Sequence, residues 1–307
     1  MKINSVRKIS IQNERFNYPS GICFDKLKGV FSIADMHNHR VCLLDIETGK
    51  VKILSGETSN NKPFQLPLAL TLSDSYGYVV ADAGNNDIYY KPYGEKTWIS
   101  MMDRYRKNHL INNLINHEND NPLNLPAGVA VDSDGNVYVN DFLNNRISKI
   151  DLSFNISVIT GGSTAGMKDG PCSTAKINRP YGLFCFDRQL YFADEGNNAI
   201  RYIDLDTMKV FTIRVKNWEH KILNPIALTL DPEGNIIICE KRRLLCINRK
   251  TRKLHLILDS SVWSELKRNF KLNQKICHIG SVTAPEKGCI YWMDTILGLL
   301  YEVKVSF

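Results

Sequence analysis

Apolar and polar positions alternate along this chain in short runs, and the runs come in groups. The grouping is clearest between residues 180 and 204. Pro180-Tyr181-Gly182 opens a first run through Leu183 and Phe184. Leu190 to Asp194 is a second run that ends on a carboxylate, Gly196-Asn197-Asn198 is a turn, and Ile200 to Asp204 is a third run. Period-two alternation over runs this short predicts β-strands. The grouping occurs six times, at uneven intervals of roughly fifty residues. A unit of that size cannot bury its own apolar face, so the copies must stack on one another.

The second runs end at Asp35, Asp82, Asp141, Asp194, Glu240 and Asp294. The first runs open at Pro19-Ser20-Gly21, Pro67-Leu68-Ala69, Pro126-Ala127-Gly128, Pro180-Tyr181-Gly182 and Pro225-Ile226-Ala227, with His278-Ile279-Gly280 in that place in the last unit. Units therefore start near residues 19, 67, 126, 180, 225 and 278. Proline as the first residue of a strand forfeits no ladder hydrogen bond, and the small residue behind it suits a crowded site where units converge. Asn38-His39, Asn85-Asn86, Asn144-Asn145 and Asn197-Asn198 fill the second turn, where a tight hairpin needs left-handed backbone.

Fourth runs at 51–54, 156–160, 209–213 and 254–258 complete four antiparallel strands per unit. Radial repetition of such units is an all-β, six-bladed β-propeller, a single domain over residues 1–307. The last unit has three runs of its own, and a strand at residues 5–12 is expected to complete it and close the ring. Residues 95–124 form an insertion before the third blade.

Composition narrows the classes. No apolar run is long enough to span a membrane, and residues 1–17 lack the apolar core of a signal peptide. Six of the eight cysteines, Cys23, Cys42, Cys185, Cys239, Cys246 and Cys289, fall in expected strands, with Cys172 and Cys277 in linkers. None has zinc-knuckle spacing, so free thiols in a reducing compartment are expected, the cytoplasm or else the nucleus. Residues 1–200 carry 21 basic and 21 acidic side chains, so the whole net charge of +7 lies in residues 201–307.

Asp35-Met36-His37-Asn38-His39-Arg40-Val41 and Ala193-Asp194-Glu195-Gly196-Asn197-Asn198-Ala199-Ile200 resemble the signature of NHL repeats. So does Gly161-Gly162, then Asp169-Gly170, then Ala175, leading into Asn178-Arg179-Pro180. The resemblance covers nearly the whole chain, strong in blades one to four and weak in five and six. Blade five puts Lys241-Arg242-Arg243 in the turn, and blade six puts Thr295-Ile296-Leu297-Gly298 there. It implies a binding platform for protein or RNA, with an enzyme minority among related propellers.

In the lactonase-like relatives, metal ligands are Asp, Asn or Glu at the start of inner strands. Here those positions hold Ser20, Leu68, Ala127, Tyr181, Ile226 and Ile279, which offer little to calcium, a cation that takes about six to eight oxygens. No cofactor and no metal are expected. Ser20, Tyr181 and His278 are expected at the mouth of the central channel. The six carboxylates, Asp35, Asp82, Asp141, Asp194, Glu240 and Asp294, are expected to be structural, accepting from backbone N–H groups of the turns that follow them. A metal-dependent hydrolase or lyase with a channel site is the least favoured reading.

Binding falls to the surface. The turn after strand two and the linker after strand four share a face, so Lys241, Arg242 and Arg243 are expected beside Lys267, Arg268 and Lys271, completed by Arg104 and Arg106 of the insertion. Tyr105, Trp263 and Phe270 interleave with these cations. Arg249-Lys250-Thr251-Arg252-Lys253 belongs to the opposite face. The expected function is a non-catalytic, monomeric platform without disulfides that engages a protein partner of acidic character, without membrane attachment. Single-stranded RNA is the alternative, since cations track phosphate and aromatics stack bases.

Overall fold

A computed structural model describes residues 2–54, 58–60, 62–111, 122–216, 221–269 and 278–306. They form six antiparallel sheets, one per blade, arranged as a β-propeller. From the channel outward, blade one is Pro19–Asp25, Val30–Asp35, Arg40–Asp45 and Val51–Ile53; blade three is Pro126–Val131, Val137–Asp141, Arg146–Ile150 and Ile156–Gly161. The second strands are almost wholly buried, because each is flanked by its own sheet and by the neighbouring blades. Apolar clusters fill the gaps between blades. One joins Trp292, Tyr301 and Trp263 around blade six, with Trp263 edge-on to Trp292 at 5.8 Å.

Blade six pairs Leu299–Ser306 with the N-terminal strand, which spans Lys2–Lys8, earlier than the expected 5–12. The difference follows from the length of its partner, whose eight residues run on to Ser306 and find partners down to Lys2. Arg7 and Glu302 face each other across this seam and form an ion pair, and the Tyr291 hydroxyl donates to Glu302 at 2.8 Å. Blade five opens at Ala227, two residues beyond its proline.

Two helices stand where loops were expected. The expected insertion at 95–124 first supplies Ile99–Ser100 as the fourth strand of blade two and then α1 (Met101–Ile111), while α2 (Ser260–Asn269) lies between blades five and six. Ser100 caps α1, its hydroxyl accepting the Asp103 N–H at 2.9 Å, the arrangement a capping residue supplies. Met101 and Met102 then bury between blades two and three, and Trp263 does the same for α2.

The carboxylates at the ends of the second strands hold the blades to their linkers. Asp35 accepts Asn17 N–H at 2.7 Å from the incoming linker, Asn38 Nδ2 at 2.8 Å from the turn and Arg40 Nε at 2.7 Å. Asp141 repeats this with Asn124 N–H, Asn144 Nδ2 and Arg146 Nε, and Asp194 with Asn178 N–H, Asn197 Nδ2 and Arg201 Nη1. Glu240 takes Leu223 N–H and Arg243 Nε. The expected donors, backbone N–H groups of the following turn, serve only Asp294, through Ile296 and Leu297 at 3.1 and 3.0 Å. In blades one to four the turn contributes an asparagine side chain, and in blades one to five the backbone donor comes from the linker before the blade.

The second residue of each Asn pair reaches the next blade. His39, Asn86, Asn145 and Asn198 adopt left-handed backbone. Their side chains accept the N–H groups of Leu66, Leu125, Arg179 and Asn224, at 3.2, 2.7, 2.9 and 2.7 Å. Each donor is thus the residue before the next blade's opening proline, itself at positive φ. This predicts a graded response at Asn145. Asn145→Gly keeps the backbone unstrained and loses only the cross-blade bond, lowering stability by about 1 kcal/mol. Asn145→Ala adds left-handed strain and costs about 2–3 kcal/mol. Urea unfolding checks both, and a Gly variant as stable as the parent would show that the bond contributes nothing.

Blade two departs from this pattern. Where Arg40 and Arg146 stand in blades one and three, blade two has Asp87, directly opposite Asp82. Burial raises Asp82 to about 7 and Asp87 to about 6. Folded-state pKa values above the unfolded range mean that the folded chain holds protons the unfolded chain has released. Their contribution to stability is therefore complete below about pH 4 and is lost as pH rises through 6 to 7. Asp87→Asn, whose amide still serves Ser100 and Met102, is expected to flatten the decline in urea midpoint between pH 4.5 and 7.5. An unaltered pH profile would remove Asp87 as its source.

Candidate functional site

The inner strands enclose a central channel of ≈ 90 Å³. A β-bulge opens blades one, two, three, four and six: Pro19 pairs with Asp35, but Gly21 pairs with Ala34, leaving Ser20 unpaired between them. Bulges of this kind re-aim a side chain, and they place Ser20, Leu68 and Ala127 toward the channel, with Tyr181 in a wider bulge. In blade six Ile279 pairs with Asp294 and Ser281 with Met293. The bulged residue is therefore Gly280, one place later than the sequence alignment put it. Inner strands touch closely, and a Cβ on Gly182 would lie 2.7 Å from Ala227 Cα.

The mouth residues are largely engaged. Ser20 donates to Pro67 O at 3.1 Å. Tyr181 packs edge-on to Phe142 at 5.5 Å, and burial raises its phenol to about 12. His278 Nδ1 lies 2.7 Å from Thr295 Oγ1, which donates to the His278 carbonyl at 3.2 Å. Burial, with Lys241 and Arg242 nearby, pushes the His278 pKa below its usual value. Tyr18 lies 5.9 Å from His278 and stacks on His37 at 4.7 Å, while Arg179 sits 4.9 Å over Phe142. Among the described residues no three His, Cys, Asp or Glu side chains converge as metal ligands, and seven described cysteines are free.

The expected basic face does not assemble as one patch. Lys241 and Arg242 are exposed in a two-residue hairpin, Glu240 pairing directly with Arg243. Arg243 is committed, donating to Glu240 and to Lys221 O at 2.8 Å. Lys267 and the exposed Arg268 close α2 on the outer rim between blades five and six. Arg104 and Arg106 ride on α1 across the ring. Arg106 pairs with Asp103 at 2.8 Å, and Asn108 Nδ2 donates to Ser153 O at 2.6 Å in the turn after the third strand of blade three. That turn belongs to the opposite face, so α1 folds down the rim instead of over the linker face. Trp263 is buried and Tyr105 packs on His109 at 4.0 Å. Lys271 and Phe270 lie outside the described residues.

From the sequence, Ile296 and Leu297 stand out only as an altered turn, and Leu143, Tyr18 and Arg179 are not singled out on this face. Ile296 and Leu297 in blade six, and Leu143 in blade three, expose 57%, 37% and 53% of their surface. Tyr18 and Arg179 join the mouth because each precedes an opening proline and takes left-handed backbone. That shared position is the signal that could have found them.

Residues 123–150 match the NHL repeat. The chain is 26% identical over 224 residues to the chloroplastic Protein SUPPRESSOR OF QUENCHING 1 of Arabidopsis thaliana, covering 65% of this chain and 21% of that protein. It is 34% identical over 93 residues to human NHL repeat-containing protein 2, covering 30% of this chain and 13% of that one. The chain thus spans about a fifth or less of these relatives. Its fold is similar to a streptogramin B lyase (TM-score 0.62, 13% identity, 98% of this chain and 97% of that one). It is likewise similar to a gluconolactonase of Xanthomonas campestris (TM-score 0.65, 11% identity, 98% and 89%). Identity this low speaks for the fold alone. With six blades, the Asn-turn signatures of four of them and these relatives, the chain is a member of the NHL-repeat β-propeller family.

Proposed function

We propose that this propeller is a non-catalytic protein-interaction platform working through the face that carries the channel mouth and the linkers. The carrying observation is the meeting of blades five and six. Lys241 and Arg242 are exposed there, and Lys241 O accepts Ile279 N–H at 2.8 Å, which brings the hairpin against blade six. Thr295 N–H donates to His278 O at 2.8 Å, and Ile296 and Leu297 follow it outward. Apolar side chains rimmed by cations make a surface for a partner with an apolar anchor and acidic surroundings. Leu68, Ala127 and Ile226, by contrast, give the channel side of the inner strands little to act with as ligands.

Single-stranded RNA is the second reading, favoured by the Tyr18–His37 stack next to His278 and its two neighbouring cations. Proteins captured by the chain are to be purified and titrated against the parent, Ile296→Asp with Leu297→Asp, and Lys241→Glu with Arg242→Glu. Both double variants are expected to weaken binding by about tenfold or more, and the second to remove most of the salt dependence. Capture that disappears after ribonuclease treatment would move the assignment to RNA. Undiminished binding by both double variants would remove this face.

A further inference from the structure

The opposite face carries a cationic turn that the proposed platform does not use. In blades one, three and four, the turn after the third strand is headed by an aspartate. Asp45, Asp151 and Asp204 each accept two backbone N–H groups of their own turn. Blade five puts Asn248 there, and its Oδ1 accepts Thr251 N–H at 2.9 Å. The hydrogen bond is kept and the charge is gone. Arg249, Lys250, Arg252 and Lys253 follow, all exposed, and none pairs with a carboxylate among the described residues. Arg188, in the neighbouring blade, pairs with both Asp134 and Asp206.

Two of these cations border a cleft of ≈ 140 Å³ between blades four and five. Its walls are Gln189, Tyr191, Tyr202, Ile213, Arg249 and Arg252. The turn holds both arginines in place. Arg249 N–H donates to Asn235 Oδ1 at 3.0 Å, and its guanidinium lies over Gly234, where a Cβ would stand 2.7 Å from Nη1. Arg252 takes left-handed backbone, donates to Asn248 O at 2.9 Å and accepts Lys216 N–H at 3.0 Å. Burial pushes the Tyr191 phenol up, while Arg249 and Arg252 pull it the other way, which marks how near both lie. Tyr191, Tyr202 and Phe211 form an aromatic file leading outward, with centroids 5.6 and 5.2 Å apart.

We propose that this cleft between blades four and five binds a phosphate monoester, with Arg249 and Arg252 gripping the phosphoryl oxygens and Tyr202 and Ile213 packing against the group that carries them. Two unpaired guanidiniums match a dianion that accepts bidentate hydrogen bonds. The cleft is well below the roughly 300–1,000 Å³ that encloses a whole cofactor, so it takes one charged group with its immediate attachment and leaves the remainder outside.

Calorimetric titration of the whole chain tests this with phenyl phosphate, inorganic phosphate and a phosphotyrosine peptide at low salt. Phenyl phosphate is expected to bind about fivefold or more tightly than inorganic phosphate, through the apolar wall. Arg249→Gln and Arg252→Gln are each expected to weaken it about tenfold or more. Lys250→Gln, on the same turn but outside the cleft, should change it less than about twofold. These are exposed positions, and matching thermal melts verify folding. A peptide that binds better than phenyl phosphate assigns a protein-borne group, and equal affinity assigns a small molecule. No heat from any ligand would overturn the proposal. So would phenyl phosphate no tighter than inorganic phosphate, or a Lys250→Gln loss as large as that of Arg249→Gln.

Discussion

The buried carboxylate at the end of each second strand is the constraint on which the ring depends. A propeller blade is a sheet whose inner strand must arrive at a fixed height beside its neighbours, and the chain reaches it through an irregular linker. Burying an ionised group in such a place is unfavourable unless its acceptor positions are filled. Asp35, Asp141 and Asp194 meet that demand with three donors from three segments: linker, turn and third strand. The cost of an unsatisfied charge thereby fixes the entry of the blade. The next residue of the turn, at His39, Asn86, Asn145 or Asn198, then fixes the entry of the blade that follows.

This explains the form of the repeat. The first asparagine must be a donor to the carboxylate, and the second must accept at left-handed backbone, which asparagine tolerates better than most residues. Where the ring is joined differently, the turn is free to change. Between blades five and six a backbone bond, Ile279 N–H to Lys241 O, replaces the side-chain latch, and the hairpin shortens. In blade six Gly298 takes the left-handed position and Asp294 turns to its own loop. The side chains of Lys241, Arg242, Ile296 and Leu297 are exposed because the ring closes through their backbone or without them.

Much of the fold was legible because it rests on alternation. The second-strand ends, the opening prolines of four blades and the N-terminal clasp follow from apolar period and turn chemistry alone. The register of blade six was not legible. A bulge adds one residue without altering alternation on either side, so Ile279 and Gly280 exchange places unnoticed. The helices escaped for a different reason. Ser100 and Asp103 were available as a cap, but the insertion is Asn-rich and its burial hangs on Met101 and Met102 finding a gap between blades. With α1 unrecognised, Arg104 and Arg106 were placed on the wrong part of the surface.

Charge is the harder quantity to read along a chain, because its meaning lies in the partner. Arg40, Arg146, Arg201 and Arg243 look as basic in sequence as Lys241 and Arg242, yet each neutralises a ring carboxylate and adds little to the surface field. Blade two shows the converse. It lacks that arginine, and its two aspartates are held toward the protonated form, so formal charge overstates its negative character near neutral pH. The same reasoning applies at Asn248, where loss of one carboxylate leaves four cations without a counter-ion in their turn. Net charge by segment places the excess cations in the last third of the chain. Which of those cations face outward unpaired is decided by the carboxylates the repeat keeps and the ones it drops.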